Sequence, residues 1–184
     1  MSKLIAAINM SVDGNCDHTA GIPDEEIHEY YAEMLNGTET ILYGRVTYQL
    51  MQYWQTILKN PTGEKSLDDF TKSIDKVQKI VFSSTLKDTD WKTAKLATKS
   101  IEEVVKELKQ NSSKDFFVGS PGLISELTKL GLIDEYQLCI HPVIAGSGLH
   151  LFKEVKEMLI LKLIKTKIFN SGAIILYYEP KKDL

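Results

Sequence analysis

The sequence predicts an α/β protein: one mixed sheet covered by helices on both faces, ending in an antiparallel hairpin. Three observations carry this. Short apolar runs alternate with helical stretches through most of the chain. Two of those runs, ILYGRVTY and FFVGSPGLI, pass through glycine directly into a helix. The C-terminal part instead holds two extended runs around Asn170-Ser171-Gly172, a hairpin signal.

Taken in order, Lys3 to Met10 reads as a buried strand closed by the Asp13-Gly14 turn. Asp24 to Leu35 reads as a helix, with Pro23 before it and Asp24, Glu25 and Glu26 in its first turn. Thr40 to Tyr43 is a strand, Arg45 to Tyr53 a helix, and Asn60 to Lys65 a polar surface loop. Lys79 to Phe82 is a strand, and Ile101 to Gln110 a helix with Ser100 as its N-cap. Phe116 to Val118 is a strand, Leu123 to Leu130 a helix stopped by Gly131, and Tyr136 to Ile140 a strand. Leu159 to Phe169 and Ala173 to Tyr178 form the hairpin. Without repeats, low-complexity tracts or a dividing linker, residues 1–184 read as a single domain.

Composition narrows the function. With 184 residues, 43% of them hydrophobic, the chain can bury a substantial core. Its 22 basic and 25 acidic residues give a net charge of −3, which disfavours nucleic acid as a partner. No apolar run reaches the ~20 residues of a membrane span, and MSKLIAAINMSVDG lacks a signal-peptide layout, so no membrane role and a cytoplasmic location are expected. Cys16 and Cys139 form no Cys-x-x-Cys pair, and no histidine or carboxylate cluster has metal-ligand spacing. No Gly-x-Ser-x-Gly elbow marks a nucleophile.

The glycine junctions carry the positive signal. A strand that feeds a helix through glycine exposes bare backbone and aims unpaired N–H groups at an anion. Gly44, with Arg45 and Thr47 in the helix start, suits phosphate because the guanidinium matches its oxygens. Gly119 and Gly122 bracket Ser120 and Pro121, leaving room for a diphosphate against backbone amides, followed by Leu123 and Ile124. Ser83 and Ser84 end a strand and join the same phosphate group if that strand lies beside Gly44. Each segment also has a plainer reading: a helix boundary, a solvated charge, a capped helix or a polar strand end. Gly146 and Gly148 in AGSGLHLF read as a turn or bulge, since the third glycine of a dinucleotide motif is missing.

In this order, AAINMSVDG, ILYGRVTY, VFSSTL, FVGSPGLI and LGLIDEYQLCIHPVIAGSGLHLF resemble the dihydrofolate reductase-like fold. The closer likeness is to the branch containing the C-terminal reductase domain of the bacterial riboflavin-biosynthesis protein RibD. The resemblance covers nearly the whole chain. It implies an NADPH-dependent reductase acting on a small heterocyclic molecule, pteridine- or aminopyrimidine-like, and a homodimer. It places Ala7 and the loop at Gly14 against the nicotinamide, Gly44, Arg45 and Thr47 on phosphates, Arg45 with Ser83 or Ser84 near the 2′-phosphate, and Gly119, Ser120, Gly122, Leu123 and Ile124 along the diphosphate. Ser84 stands where many relatives carry arginine. Asp24 and His28, on the first helix, are the proton-donor candidates; a solvated helix face explains them equally. Tyr30, Tyr31, Tyr48 and Trp54 read either as an aromatic slot for a flat ring or as core. The alternative function is a nucleotide-binding protein of the same fold without turnover.

Overall fold

The first strand, β1 (Leu4–Ser11), is buried on both faces, as a central strand in a mostly parallel sheet must be. In the computed structural model, which describes residues 1–181, eight strands form one sheet around it. The others are β2 (Thr40–Gly44), β3 (Gln78–Phe82), β4 (Ala94–Leu96), β5 (Phe116–Val118), β6 (Glu135–His141), β7 (Leu161–Ile168) and β8 (Ile174–Pro180). Their order is β4-β3-β2-β5-β1-β6-β8-β7. The run from β4 to β6 is parallel, and β8 lies antiparallel to both β6 and β7.

Alternation along β1 divides the core. Leu4, Ala6, Ile8 and Met10 face α5 (Ile101–Asn111) and α6 (Pro121–Lys129) through Ile101, Val104, Val105, Ile124 and Leu127. Ile5 and Ala7 face the opposite layer, where Ala32 and Leu35 of α1 (Glu25–Asn36), Tyr48 of α2 (Arg45–Met51), and Phe70 and Ile74 of α4 (Lys65–Lys76) pack. The expected mixed sheet with a helical layer on each face and a terminal hairpin is what forms. At the hairpin tip Gly172 takes φ 86° and donates its N–H to Phe169 O at 3.0 Å.

Local signals explain most boundaries. Ser100 and Glu103 form a reciprocal capping box at the start of α5. Gly131, with φ 64°, follows α6. Asp24 is the N-cap of α1 rather than a first-turn residue; its Oδ1 accepts the Ile27 N–H at 2.9 Å.

Three expectations are corrected. The helix expected over Arg45 to Tyr53 divides at Gln52 into α2 and α3 (Tyr53–Lys59). The polar loop expected over Asn60 to Lys65 ends at Glu64, where α4 follows with Leu67, Phe70, Thr71 and Ile74 at helical spacing. Burying a side chain such as Phe70 or Ile74 contributes roughly 1.5–3 kcal/mol. The short edge strand β4 was missed too; it pairs with β3 through Ala94, Lys95 and Leu96.

Candidate cofactor and substrate site

The topology itself opens a crevice. β2 and β5 are hydrogen-bonded neighbours, yet β2 continues into α2 on one face of the sheet and β5 into α6 on the other. Adjacent parallel strands whose connections leave in opposite directions make a switch point, and ligands of open α/β sheets sit outside the carboxyl ends there. The residues at that point are Gly44, at the end of β2, and Gly119, just past β5. Both predicted glycine junctions therefore meet in space.

Ser120 joins them. It sits at the N-cap position of α6, but its hydroxyl makes no capping bond; it accepts the Gly44 N–H at 2.8 Å. The hydroxyl is thus a cross-link between strand ends rather than a helix cap. The chain's own packing does not call for the glycines here. Gly44 has φ −79°, and a Cβ on it would lie 3.7 Å from Leu123 Cγ, an ordinary contact. A Cβ on Gly119 would lie 3.6 Å from Ala7 O, and one on Gly122 would meet nothing within 4 Å. Bare backbone at three such positions leaves room for something other than the chain.

The predicted phosphate residues gather around this crevice. Pairing of Gly44 with Phe82 sets the strand that ends in Ser83 and Ser84 beside the Gly44 junction, which is the condition placed on that serine pair. Arg45 is exposed, its Nη1 donating to Gln49 Oε1 at 3.3 Å, and Thr47 is half-buried. Ser84 is exposed, whereas the Ser83 hydroxyl accepts the N–H groups of Thr85 (3.1 Å) and Leu86 (3.0 Å) and shapes the turn after β3. Pro121 at the head of α6 carries no N–H, so the free donors there fall to neighbouring residues. Ile124 is the exception among the predicted contacts. Its side chain is fully buried in the core, and its N–H donates to Ser120 O at 2.9 Å, so it has no free group to offer a ligand. Leu123 is half-buried against the same core.

Beyond Ala7, the turn after β1 is tied down. Asp13 accepts the Ser11 hydroxyl at 2.5 Å and the N–H groups of Ala145 (3.0 Å) and Gly146 (2.7 Å). These donors hold its carboxyl well below the usual carboxylate range, led by the Ser11 hydroxyl. Gly14, at φ 82°, donates to Ser11 O at 3.0 Å. Asn15 donates its side-chain amide to Ser147 O, and a Cβ on Gly148 would collide with the Asn15 carboxamide. The AGSG segment is thus a loop clasped by the β1 turn, as its turn-or-bulge reading required. Gly148 is glycine because Asn15 occupies the space.

A polar cluster lies under the start of α1. His141, fully buried at the end of β6, accepts the Ile22 N–H on Nδ1 at 3.1 Å. Its Nε2 lies 3.0 Å from Asn9 Oδ1, to which the Tyr31 hydroxyl also donates at 3.2 Å. A Cβ on Gly21 would press on the imidazole at 3.1 Å, so the 20–23 loop seals the ring by virtue of that glycine. Burial lowers the His141 pKa from its ordinary value of 6.5. Burial outweighs the opposing effect of the Asp24 charge on both His28 and His141.

His28 turns elsewhere. Its ring packs edge-on against Trp54 (6.3 Å) and tilted against Phe70 (6.0 Å), its Nδ1 is buried without a partner, and burial lowers its pKa. The aromatic residues do not make one slot. Trp54 packs on Phe70 at 4.7 Å, Tyr48 is core at 2% exposure, and the Tyr30 hydroxyl bonds Gln137 and Tyr177. Only Tyr31 joins the Asn9 cluster.

Other chemistries lack their residues. Burial pushes the Cys16 thiol up to about 11 and the Cys139 thiol up to about 12, so neither supplies a thiolate at neutral pH. Among the described residues no group of three His, Cys, Asp or Glu is arranged to hold a metal, and no helix is long and apolar enough to cross a membrane. Two shallow depressions lie elsewhere. One, lined by Leu35, Thr38, Val77 and Gln78 among others, is at the amino ends of β2 and β3; the other has an acidic rim formed by Asp24, Glu25, Glu26 and Glu29 with Asn170.

Comparison with known proteins agrees with this fold. The chain is 37% identical over 181 residues to protein YyaP of Bacillus subtilis (strain 168), covering 96% of this chain and 94% of YyaP. Its fold is similar to that of a putative riboflavin biosynthesis protein from Shewanella sp. PV-4 (TM-score 0.75, 17% identity, 98% and 99% of the two chains). It is also similar to that of dihydrofolate reductase from Enterococcus faecalis in complex with NADP(H) (TM-score 0.66, 14% identity, 98% and 97%). The family model described as the RibD C-terminal domain matches residues 2–176, and the chain belongs to that family.

Proposed function

We propose that this protein is an NADPH-dependent reductase that passes hydride to a small heterocyclic substrate, pteridine- or aminopyrimidine-like. The observation that carries this reading is the Gly44–Ser120 link at the β2/β5 switch point, with three glycines there whose side-chain space the chain itself does not fill. Bound NADPH supplies the hydride.

The residues divide the work. Thr47, Gly119 and Gly122 bind phosphate oxygens through backbone amides and one hydroxyl, while Gly44, whose N–H is given to Ser120, makes room for them by lacking a side chain. Arg45, with Ser84 and the outward side of Ser83, holds the 2′-phosphate. Ala7 and the clasped turn at Gly14 position the nicotinamide end beside β1. Of the two proton-donor candidates, Asp24 is the better placed, because it stays partly exposed at the N-cap of α1 while His28 packs into the α3–α4 layer. Asp24 Oδ1 caps the helix, so Oδ2 relays a proton from water.

The family membership and the likeness to an NADP(H)-bound reductase fold support this reading. Its test is oxidation of NADPH by the purified protein across a panel of dihydropteridines, aminopyrimidines and quinones. Turnover with a heterocycle is the expected result. Saturable NADPH binding without oxidation across the panel would favour the nucleotide-binding alternative.

A further inference from the structure

The Asn9 cluster fixes a side-chain orientation by proton bookkeeping alone. A backbone N–H can only donate, so the Ile22 amide at 3.1 Å makes His141 Nδ1 an acceptor without a proton. A neutral imidazole then carries its proton on Nε2, which must donate, and the atom 3.0 Å away is Asn9 Oδ1. The Tyr31 hydroxyl donates to the same oxygen from the other side. Both acceptor positions of the Asn9 carbonyl are filled from within the protein. Its NH₂ group has no hydrogen-bond partner among the described residues and is not among the buried polar atoms lacking one. Asn9 is partly exposed, so these two donors are left for a ligand, with the amide plane set by the two bonds to Oδ1.

Their place is informative. Asn9 follows Ala7 by two residues on the same face of β1, roughly 7 Å further toward the strand's carboxyl end. It lies under the first turns of α1, past the point where Ala7 O faces Gly119. An uncharged carboxamide donor pair suits a neutral acceptor such as a carbonyl oxygen.

Resting on the reductase reading above, we propose that Asn9 is a specificity-determining residue of the substrate subsite, its carboxamide N–H groups taking a ring carbonyl oxygen of the heterocycle. His141 and Tyr31 are positioning residues that hold the amide with its donors outward. The substrate class follows: a ring with an oxo group, as in a pterin or uracil, rather than an amino group at that position.

The test uses two matched probes, pterin and 2,4-diaminopteridine, which differ in carrying an oxo or an amino group at one ring carbon. Binding of each is measured by calorimetry to the full chain, with and without NADPH. Wild type is expected to prefer pterin by roughly threefold to tenfold, the scale of one neutral hydrogen bond. Asn9→Asp, which accepts where asparagine donates, should reverse the preference, and Asn9→Ala should bring it close to one. Melting of each variant identifies those that fold; if Asn9→Asp does not, Asn9→Ala and Asn9→Ser decide. An unchanged preference in the folded variants overturns the proposal, as does failure of both probes to bind wild type. Absence of an NADPH effect in the same titrations counts against the reductase reading and leaves the Asn9 comparison readable.

Discussion

The Ser120 hydroxyl accepts the Gly44 N–H at 2.8 Å, joining the ends of two neighbouring strands whose helices leave on opposite faces of the sheet. Ser120 is 3% exposed, so no water replaces the bond if the hydroxyl is removed. Ser120→Ala should destabilise the fold by about 1–3 kcal/mol, the cost of an unsatisfied buried donor. It should also weaken NADPH by loosening both junctions. Urea unfolding and cofactor titration measure the two effects; loss of neither would show that the link positions nothing.

Gly122 separates folding from binding. A Cβ there meets nothing within 4 Å, and the residue lies inside α6. Gly122→Ala should leave stability unchanged or raise it by up to ~1 kcal/mol, following helix propensity. The same methyl should obstruct the diphosphate and lower NADPH affinity. A variant that gains stability and binds NADPH as wild type does would remove Gly122 from the site.

Arg45 tests which phosphate its guanidinium meets. It is exposed and bound only to Gln49, so Arg45→Ala should cost little stability, within about 0.5 kcal/mol. It should weaken NADPH tenfold or more, on the scale of a charge-assisted hydrogen bond of about 1.5–3 kcal/mol, while NADH changes little. Equal losses for both cofactors would move Arg45 from the 2′-phosphate to the diphosphate.

His141 gives the fold an acid limit. Burial lowers its pKa below 6.5 in the folded protein, whereas the unfolded chain keeps the ordinary value. Between those two values the unfolded state binds more protons, so stability falls as pH drops through and below 6.5. A proton on Nδ1 would also face the Ile22 N–H donor for donor. His28 is lowered by burial as well and adds a slope of the same sign. His141→Gln should flatten the urea midpoint against pH between pH 5 and 7, as an order-of-magnitude window around these values, leaving the part due to His28. An identical slope in the variant would show that His141 does not titrate on unfolding.

Local patterns in the sequence made most strands, the capping box at Ser100, the hairpin at Gly172 and both glycine junctions legible, because each is written in a few consecutive residues. The proposed phosphate site rests on the same kind of signal: strand, glycine and helix adjoin in the chain. What escaped depends on contacts between distant residues. Ser120 and Gly44 are 76 positions apart, and Asn9 and His141 are 132 apart. No periodicity announces such a bond, so nothing in the sequence joins Asn9 to His141. Ile124 shows the reverse error: its place after the glycines suggested a ligand contact, while burial gave it to the core. The missed α4 had a legible signal in Leu67, Phe70, Thr71 and Ile74, hidden by the charged residues between them.

The central claim is that the β2/β5 crevice binds NADPH, and a thermal titration of the wild-type chain with that cofactor tests it most directly. Binding predicts a saturable rise in melting temperature, worth about 2.7 kcal/mol at a hundredfold excess over the dissociation constant, and a clear reduction of that rise in Gly122→Ala. No saturable shift with wild type, or an identical shift in Gly122→Ala, would contradict it.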